Sequence, residues 1–470
     1  MNLLPFDPTI SATASFGALS LFSNPDRDKM DDRKLWGIRR DLYFDIHNVL
    51  GNKDELIENG FLIDVNSKYI DPEVSRDEFV KRVNQFVKNF PGTKIDSFLV
   101  SFNLNFEQSN NIDQWLSFAI ARGVERIDLL FLGKPFVRHP QSGERYKFAF
   151  KLFSESNAST LKHVGLEYCH LVHPTNGDFE PFKHLKSLSL LSVKVDEIFI
   201  ENLLSNCQLL EELSLVDCAF KSSTPKIISS SLCHLNVSKC YKVSGSKNAI
   251  TFIELMLVDC PKLTSLECDE VDTLNINSHV LKRINFSISS EEYLDAFALC
   301  ATFPELEIMH LGIFPMVTPF QAIAQPLKYL KQLDCIIYLS YTDDDEECDL
   351  MLILDILRAS PLLQKLSVMI TDPVLFENHK DIRDVEVFSQ NEIKVIELGG
   401  CVGNWYETEF VMNVLKYAQK LEQIVLSPYW REDDSSDWNS NPVWFQSGRK
   451  KISEKIQVEE IVGLEKLVLL

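Results

Sequence analysis

The chain has 470 residues, 45% of them apolar and 24% charged, a composition that suits a folded protein with a large core and excludes a disordered one. Its formal charge of −21 argues against a nucleic-acid binder, which needs a basic stripe to displace counterions, and against adsorption to anionic membranes. The cysteines number 11, an odd count without a CxxC pair; this excludes a disulfide scaffold and points to reduced thiols in the cytoplasm or nucleus.

Residues 1–33 read as an irregular segment. The stretch Ala12–Phe22 is broken by Thr13, Ser15, Gly17 and Ser20, and no basic residue precedes Arg27, so it does not fit a secretory signal. No apolar run anywhere approaches the ~18–20 residues of a membrane span. Ser75-Arg76-Asp77-Glu78 reads as a capping box opening a helix that carries Phe79, Val83, Phe86 and Val87. A second helix runs from about Ile112 through Trp115, Leu116 and Ala119 to Gly123, a residue suited to the left-handed stop.

From there one phrase recurs, apolar-x-x-apolar-x-apolar. It reads Leu161-Val164-Leu166, Leu185-Leu188-Leu190, Leu210-Leu213-Leu215 and Leu232-Leu235-Val237. It continues as Phe252-Leu255-Leu257, Val271-Leu274-Ile276, Leu281-Ile284-Phe286 and Leu306-Met309-Leu311. Later copies are Leu330-Leu333-Cys335, Leu363-Leu366-Val368, Ile393-Ile396-Leu398 and Leu421-Ile424-Leu426. Weaker ones stand at Ile95-Phe98-Val100, Val124-Ile127-Leu129 and Leu464-Leu467-Leu469. Alternation of the last two apolar positions with polar ones puts them on one face of a short strand. One such unit cannot bury its inner face, whereas stacked units share a continuous core. The first residues of the copies from Leu161 to Phe252 are 24, 25, 22 and 20 residues apart, which is leucine-rich-repeat spacing. The predicted fold is an α/β leucine-rich-repeat solenoid, curved, with parallel strands on its concave face and helices or extended turns on its convex face, from residue 75 to 384 and onward.

Cys169, Cys218, Cys240, Cys260 and Cys401 each stand eight residues after the first apolar position of a phrase. A small buried side chain suits the corner at the strand exit, so these are expected to be core thiols and not a metal or redox cluster. Helical return arms are expected after Asp196 (Phe199, Ile200, Leu203, Leu204, Cys207), after Ser290 (Leu294, Phe297, Ala298, Ala301), from Leu350 to Leu357, and over Val411–Ala418. Between 252 and 286 the copies are too close for helices, which predicts extended arms. Asp343–Glu347 lacks the alternating ligands and glycine of a calcium loop and reads as a solvated loop. Arg431–Asn441 reads as a long exposed loop.

No GxGxxG, Walker-type, GxSxG or HExxH motif is present, so neither catalysis nor a cofactor or metal site is expected. The candidate binding surface is the outward face of the strands. It should display His163, Glu167, Glu212, Ser214, His234, Asn236, Glu254, Asn275, Arg283 and Asn285, with His310 another outward histidine. Its mixed charge and hydrogen-bonding character suit recognition of a protein or a small ligand.

Leu35-Trp36 followed by Arg39-Arg40-Asp41-Leu42-Tyr43-Phe44-Asp45, the Cys207-Gln208-Leu209-Leu210-Glu211-Glu212-Leu213 phrase, and Ala359-Ser360-Pro361-Leu362-Leu363 occur in a telling order. With Ile393–Leu398, Leu415–Ile424 and Gly448-Arg449-Lys450-Lys451, that order resembles plant F-box proteins with leucine-rich repeats and a C-terminal FBD-type region. The resemblance implies an F-box remnant at 34–50 (Leu35 and Trp36 its marks), repeats over 75–384 and an FBD-like region at 385–470 continuing the solenoid. It further implies a protein substrate held by the repeats and a Skp-type adaptor of a cullin-based ubiquitin ligase held by the F-box. Upstream of Leu35 no "L-P-x-x-[LV]" entry is read. A free-standing scaffold or decoy is therefore the alternative expectation.

Overall fold

The computed structural model describes residues 40–59, 61, 72–132, 144–153, 159–172, 179, 181–221, 224–244, 249–251, 253–269, 271–288, 297, 299–313, 326–338, 350–376, 383, 392–431, 438–458 and 463–470. These form two compact units. The first comprises the described residues up to Leu263 together with 271–277, and the second comprises 264–269 and those from Ser278 to Leu470.

The first unit is built on a parallel sheet whose strands follow chain order: Asp41–Asp45, Ser97–Ser101, Arg126–Leu130, His163–Glu167, Ser187–Leu191, Glu212–Val216 and His234–Ser238. Each strand sends two residues inward, such as Val164 and Leu166, Leu188 and Leu190, Leu213 and Leu215, all buried. Each fully buried leucine contributes about 1.5–3 kcal/mol, and stacking the coils lets every strand bury its pair against the next. The helices Pro72–Asn89, Ser109–Ile120 and Glu197–Asn206 lie between successive strands in the chain. Asp196 caps the last of these, its carboxylate accepting from Phe199 N at 2.8 Å. Gly123 follows the second helix at φ +68°.

The second unit repeats the plan with Ser265–Cys268, Arg283–Ile288, Ile308–Ile313, Gln332–Tyr338, Lys365–Thr371, Val395–Gly399, Gln423–Leu426 and Leu467–Leu469, again parallel and in chain order. Its described helices are Met351–Ala359, Trp405–Tyr417 and Arg449–Val458. The leucine-rich-repeat α/β architecture expected from the phrases is thus present in both units.

A backbone staple repeats from coil to coil. The carbonyl before most strands accepts N–H bonds from two successive residues of the next coil, as Glu125 O does from Lys162 and His163 at 2.8 and 3.0 Å. Lys282 O likewise accepts from Glu307 and Ile308 at 2.9 and 3.0 Å. At the opposite end of the strands the chain turns through a left-handed residue: Tyr168, Ser192, Asp217, Lys239, Asp372 and Gly400 have φ between 52° and 71°. Cys169, Cys218, Cys240 and Cys401 follow four of these directly. Their thiols point to nearby carbonyls, Cys240 Sγ to Leu215 O at 3.1 Å and Cys401 Sγ to Leu398 O at 3.3 Å. They are corner residues of the core, as their spacing predicted.

The structure corrects three local expectations. Phe252-Leu255-Leu257 and Val271-Leu274-Ile276 are not sheet phrases: Ile253–Asp259 and Val271–Asn277 form a separate three-stranded sheet with Lys226–Ile228. They are themselves the extended return arms that the tight spacing required. The strand between them is Ser265–Cys268, with Leu263, Leu266 and Cys268 buried, which makes Leu263-Leu266-Cys268 the sheet phrase of this coil. In 253–259 the buried residues are Ile253, Met256 and Val258, with Leu255 and Leu257 only half-buried. A slip of one residue exchanges the faces of a strand, and a run of four apolar residues offers alternation nothing to choose by. Finally, the first long helix starts at Pro72, so Ser75 lies within its first turn and not at its cap; proline is favoured at that first position. Leu35, Trp36, Ser290 and Asp343–Glu347 lie outside the described residues.

Candidate interaction surfaces

Strand pleating sends every second side chain to the outer face, and the parallel register aligns these into rows. In the first unit one row runs Asp41, Ser97, Arg126, His163, Ser187, Glu212, His234, and the next runs Tyr43, Leu99, Asp128, Gly165, Ser189, Ser214, Asn236. Glu212 and His234 are neighbours across the sheet and exposed; His163, Ser214 and Asn236 are half-buried. Glu167, expected on this face, is buried instead, its carboxylate accepting from Leu132 N at 3.2 Å.

The centre of that face is tightly built. Arg126 Nε donates to Asp128 Oδ2 at 2.6 Å, and the Asp128 side chain lies against Gly165, where an added Cβ would meet its Oδ1 at 2.3 Å. Only glycine leaves that carboxylate its place. Burial raises the Asp128 carboxyl above its ordinary range despite the Arg126 contact. Burial, and then the Arg126 charge, hold His163 below its ordinary value. His163 therefore carries a neutral imidazole near pH 7.

Glu254 and Asn275 do not belong to this face. Both lie in the separate three-stranded sheet, exposed, with Asn275 opposite Leu257. Membership of that other sheet removes them from the candidate set.

In the second unit Arg283 is exposed at the edge of the sheet face, and Asn285 sits one row in. Asn285 opens a polar ladder that runs across the sheet in register: Glu267, Asn285, His310, Asp334, Ser367, Glu397. Asn285 Nδ2 donates to Glu267 Oε1 at 3.2 Å, and His310 Nδ1 lies 3.0 Å from Asp334 Oδ2, which also accepts from Gln332 Nε2 at 2.8 Å. Ser367 Oγ donates to Glu397 Oε2 at 2.8 Å, and Lys365 Nζ stands 3.1 Å from the same oxygen. Burial pushes the Glu267 carboxyl up to about 7, with Asp269 adding to the effect and Asn285 opposing it. Burial would raise Asp334 too, but the hydrogen bond and charge of His310 hold it below the ordinary carboxylate range. Beside the ladder lies an apolar row, Gly312, Ile336, Met369 and Gly399.

Sequence reasoning missed most of this ladder. The signal was present: Asp334, Ser367 and Glu397 each stand between the last two apolar residues of a phrase, the same position that named Ser214, Asn236 and His310. What spacing alone does not give is their mutual pairing, which requires the strand order. Among the described residues no group of three or more His, Cys, Asp or Glu side chains could hold a metal ion. Among them, too, no helix is long and apolar enough to cross a membrane.

Comparison with known proteins matches residues 87–459 to the family described as "At1g61320/AtMIF1, LRR domain". The "F-box/FBD/LRR-repeat protein At1g13570" of Arabidopsis thaliana is 27% identical over 341 residues, 69% of this chain and 71% of that protein. Two further Arabidopsis thaliana relatives match shorter spans. The "Putative F-box/LRR-repeat protein At5g02700" is 27% identical over 133 residues, covering 28% of this chain and 27% of its own length. The "Putative F-box/LRR-repeat protein At3g28410" is 27% identical over 132 residues, covering 28% of this chain and 26% of its own length.

Proposed function

Because the chain belongs to the At1g61320/AtMIF1 leucine-rich-repeat family, we propose that it is a protein-binding subunit that holds its target on the outward faces of its parallel sheets and contributes no chemistry of its own. The observation that carries this reading is the row structure of those faces. Rigid strands hold Glu212 beside His234 in one unit, and the Glu267-to-Glu397 ladder in the other, at fixed spacing and with mixed charge. Such an array offers many directional contacts over a broad surface, which suits a folded protein better than a small substrate. Relatives named F-box/FBD/LRR-repeat or putative F-box/LRR-repeat proteins support a place beside a cullin-based ubiquitin ligase, where this chain would present a substrate and a Skp-type adaptor would be its second partner. Cysteines that are free throughout the described residues are in keeping with work in the cytoplasm or nucleus.

The test is affinity purification of the full chain from plant extract, read by mass spectrometry. Recovery of a Skp-type adaptor with a further protein supports the ligase-linked reading. Recovery of a specific protein without the adaptor leaves a free-standing scaffold. Glu212→Ala with His234→Ala, and separately Lys365→Ala with Glu397→Ala, should each leave the melting temperature within a few degrees of wild type. At least one pair should cut partner recovery by about tenfold, as loss of a charged hot-spot contact does. Undiminished recovery in both would remove the sheet faces as the binding surface.

A further inference from the structure

Past the strand exits of the first unit the chain makes a second, shorter parallel ladder. His170 bridges Lys194 and Lys194 bridges Ala219, and Ala219–Phe220 pairs with Tyr241–Lys242. Val195 N donates to Ala219 O at 2.9 Å and Tyr241 N to Cys218 O at 3.1 Å, so this ladder is fixed by backbone bonds. Against it, at the start of helix Glu197–Asn206, lies a cavity of 360 Å³. Leu171, Val195, Phe199, Ala219, Phe220 and Val243 give it an apolar lining, and His170, Lys194, Asp196 and Lys221 supply its polar groups. That volume falls within the range of small-molecule pockets, and the mixture of apolar wall with a few placed polar groups is what such pockets use.

The charges decide what it would accept. Asp196 is the one carboxylate among the lining residues, and it is already engaged: one oxygen caps the helix at Phe199 N, and the other takes Lys221 Nζ at 3.1 Å. Lys194 is exposed and makes no ion pair among the described residues. Arg145 and Lys147 stand near as well. Besides burial, the charges of Arg145, Lys194 and Lys147 push the proton off His170, against the opposing charge of Glu144. Lys221 is matched by Asp196 and Lys147 by Glu144 at 3.4 Å, and Arg145 lies over the Tyr168 ring, which leaves Lys194, among the described residues, as the unmatched lysine beside the apolar wall.

We propose that this pocket binds a small amphipathic anion, a carboxylate, sulfonate or phosphate head on an aromatic or aliphatic body, with Lys194 meeting the head and Val195, Phe199, Phe220 and Val243 enclosing the body. The site is separate from the sheet faces, so its failure would leave the partner-binding reading untouched.

The probe is 8-anilinonaphthalene-1-sulfonate, titrated into the folded full chain and read by fluorescence, with uncharged N-phenyl-1-naphthylamine as its control. One saturable site is expected, with the neutral control binding about tenfold or more weakly. Lys194→Glu should weaken the sulfonate by about tenfold or more and leave the neutral probe nearly unchanged. Val243→Trp, which fills the cavity, should abolish binding of both. Should the tryptophan variant lose its circular dichroism spectrum, the exposed Lys194 position decides alone. Absence of saturable sulfonate binding to the wild type, or an affinity unchanged by Lys194→Glu, overturns the proposal.

Discussion

Glu407 is fully buried at the start of helix Trp405–Tyr417, and its carboxylate accepts from Val402 N at 3.0 Å and Gly403 N at 2.9 Å. Burial nevertheless outweighs these donors and lifts its pKa from 4.5 to about 7. A carboxyl whose pKa rises on folding holds its proton more tightly in the folded chain. Between about pH 4.5 and 7 the folded state therefore carries more protons than the unfolded one, and stability contributed here falls as pH rises through that window. Glu407→Gln should flatten that arm of the stability curve, the wild type losing at most about 1.4 kcal/mol per pH unit relative to the variant. Melting temperatures of both proteins from pH 4.5 to 8 check it, and parallel curves would count against the buried-acid account. A second residue-scale prediction concerns Gly403, at φ +98°, where an added Cβ would stand 2.4 Å from Gly448 Cα. Backbone cannot yield as a side-chain tip can, so Gly403→Ala should cost about 1–3 kcal/mol or more in denaturant melts.

The same helix shows why elements need their neighbours. Its amphipathic reading gave Val411, Val414, Leu415 and Ala418 an inward face; Val411, Val414 and Ala418 are buried and Leu415 is half-buried, but Glu407, Glu409 and Asn413 are buried too. Val374 and Arg383 account for part of the difference: Asn404 Nδ2 donates to Val374 O at 2.9 Å, and Arg383 donates to both Glu409 oxygens at 3.0 and 2.8 Å. No periodicity in the helix announces that partner. The slip at 253–259 has the opposite cause, a segment so apolar that both of its faces qualify. The corrected coil makes a discriminating prediction. Leu266, fully buried, should cost about 2–5 kcal/mol when cut to alanine, whereas half-exposed Leu257 should cost roughly 1 kcal/mol. Urea denaturation of the two variants decides it; equal losses would return Leu257 to the core.

Across the molecule the thiols test the packing. Nine of the described cysteines are buried, and burial pushes Cys207 up to about 12 and Cys260 up to about 11. Thiolate is the reactive form, so iodoacetamide at pH 8 should spare those nine in the folded chain and modify all 11 after denaturation. Mass spectrometry of the labelled peptides counts them. Rapid native labelling of the corner residues Cys218 or Cys240 would show that the coils do not stack as described.

Read alone, the sequence determined the architecture: an interval near 24 residues between apolar phrases, with cysteines at a constant offset, admits stacked α/β coils because a single coil cannot bury its own leucines. It also determined that most outward positions are polar, since strand alternation follows from backbone geometry. Tertiary structure alone decided which of two apolar registers was inner at 253–259, that Glu167 turns in to Leu132, and that Glu267, Asn285, His310, Asp334, Ser367 and Glu397 stand side by side. Those outcomes depend on residues dozens of positions apart meeting in space, and a local pattern carries no record of such meetings.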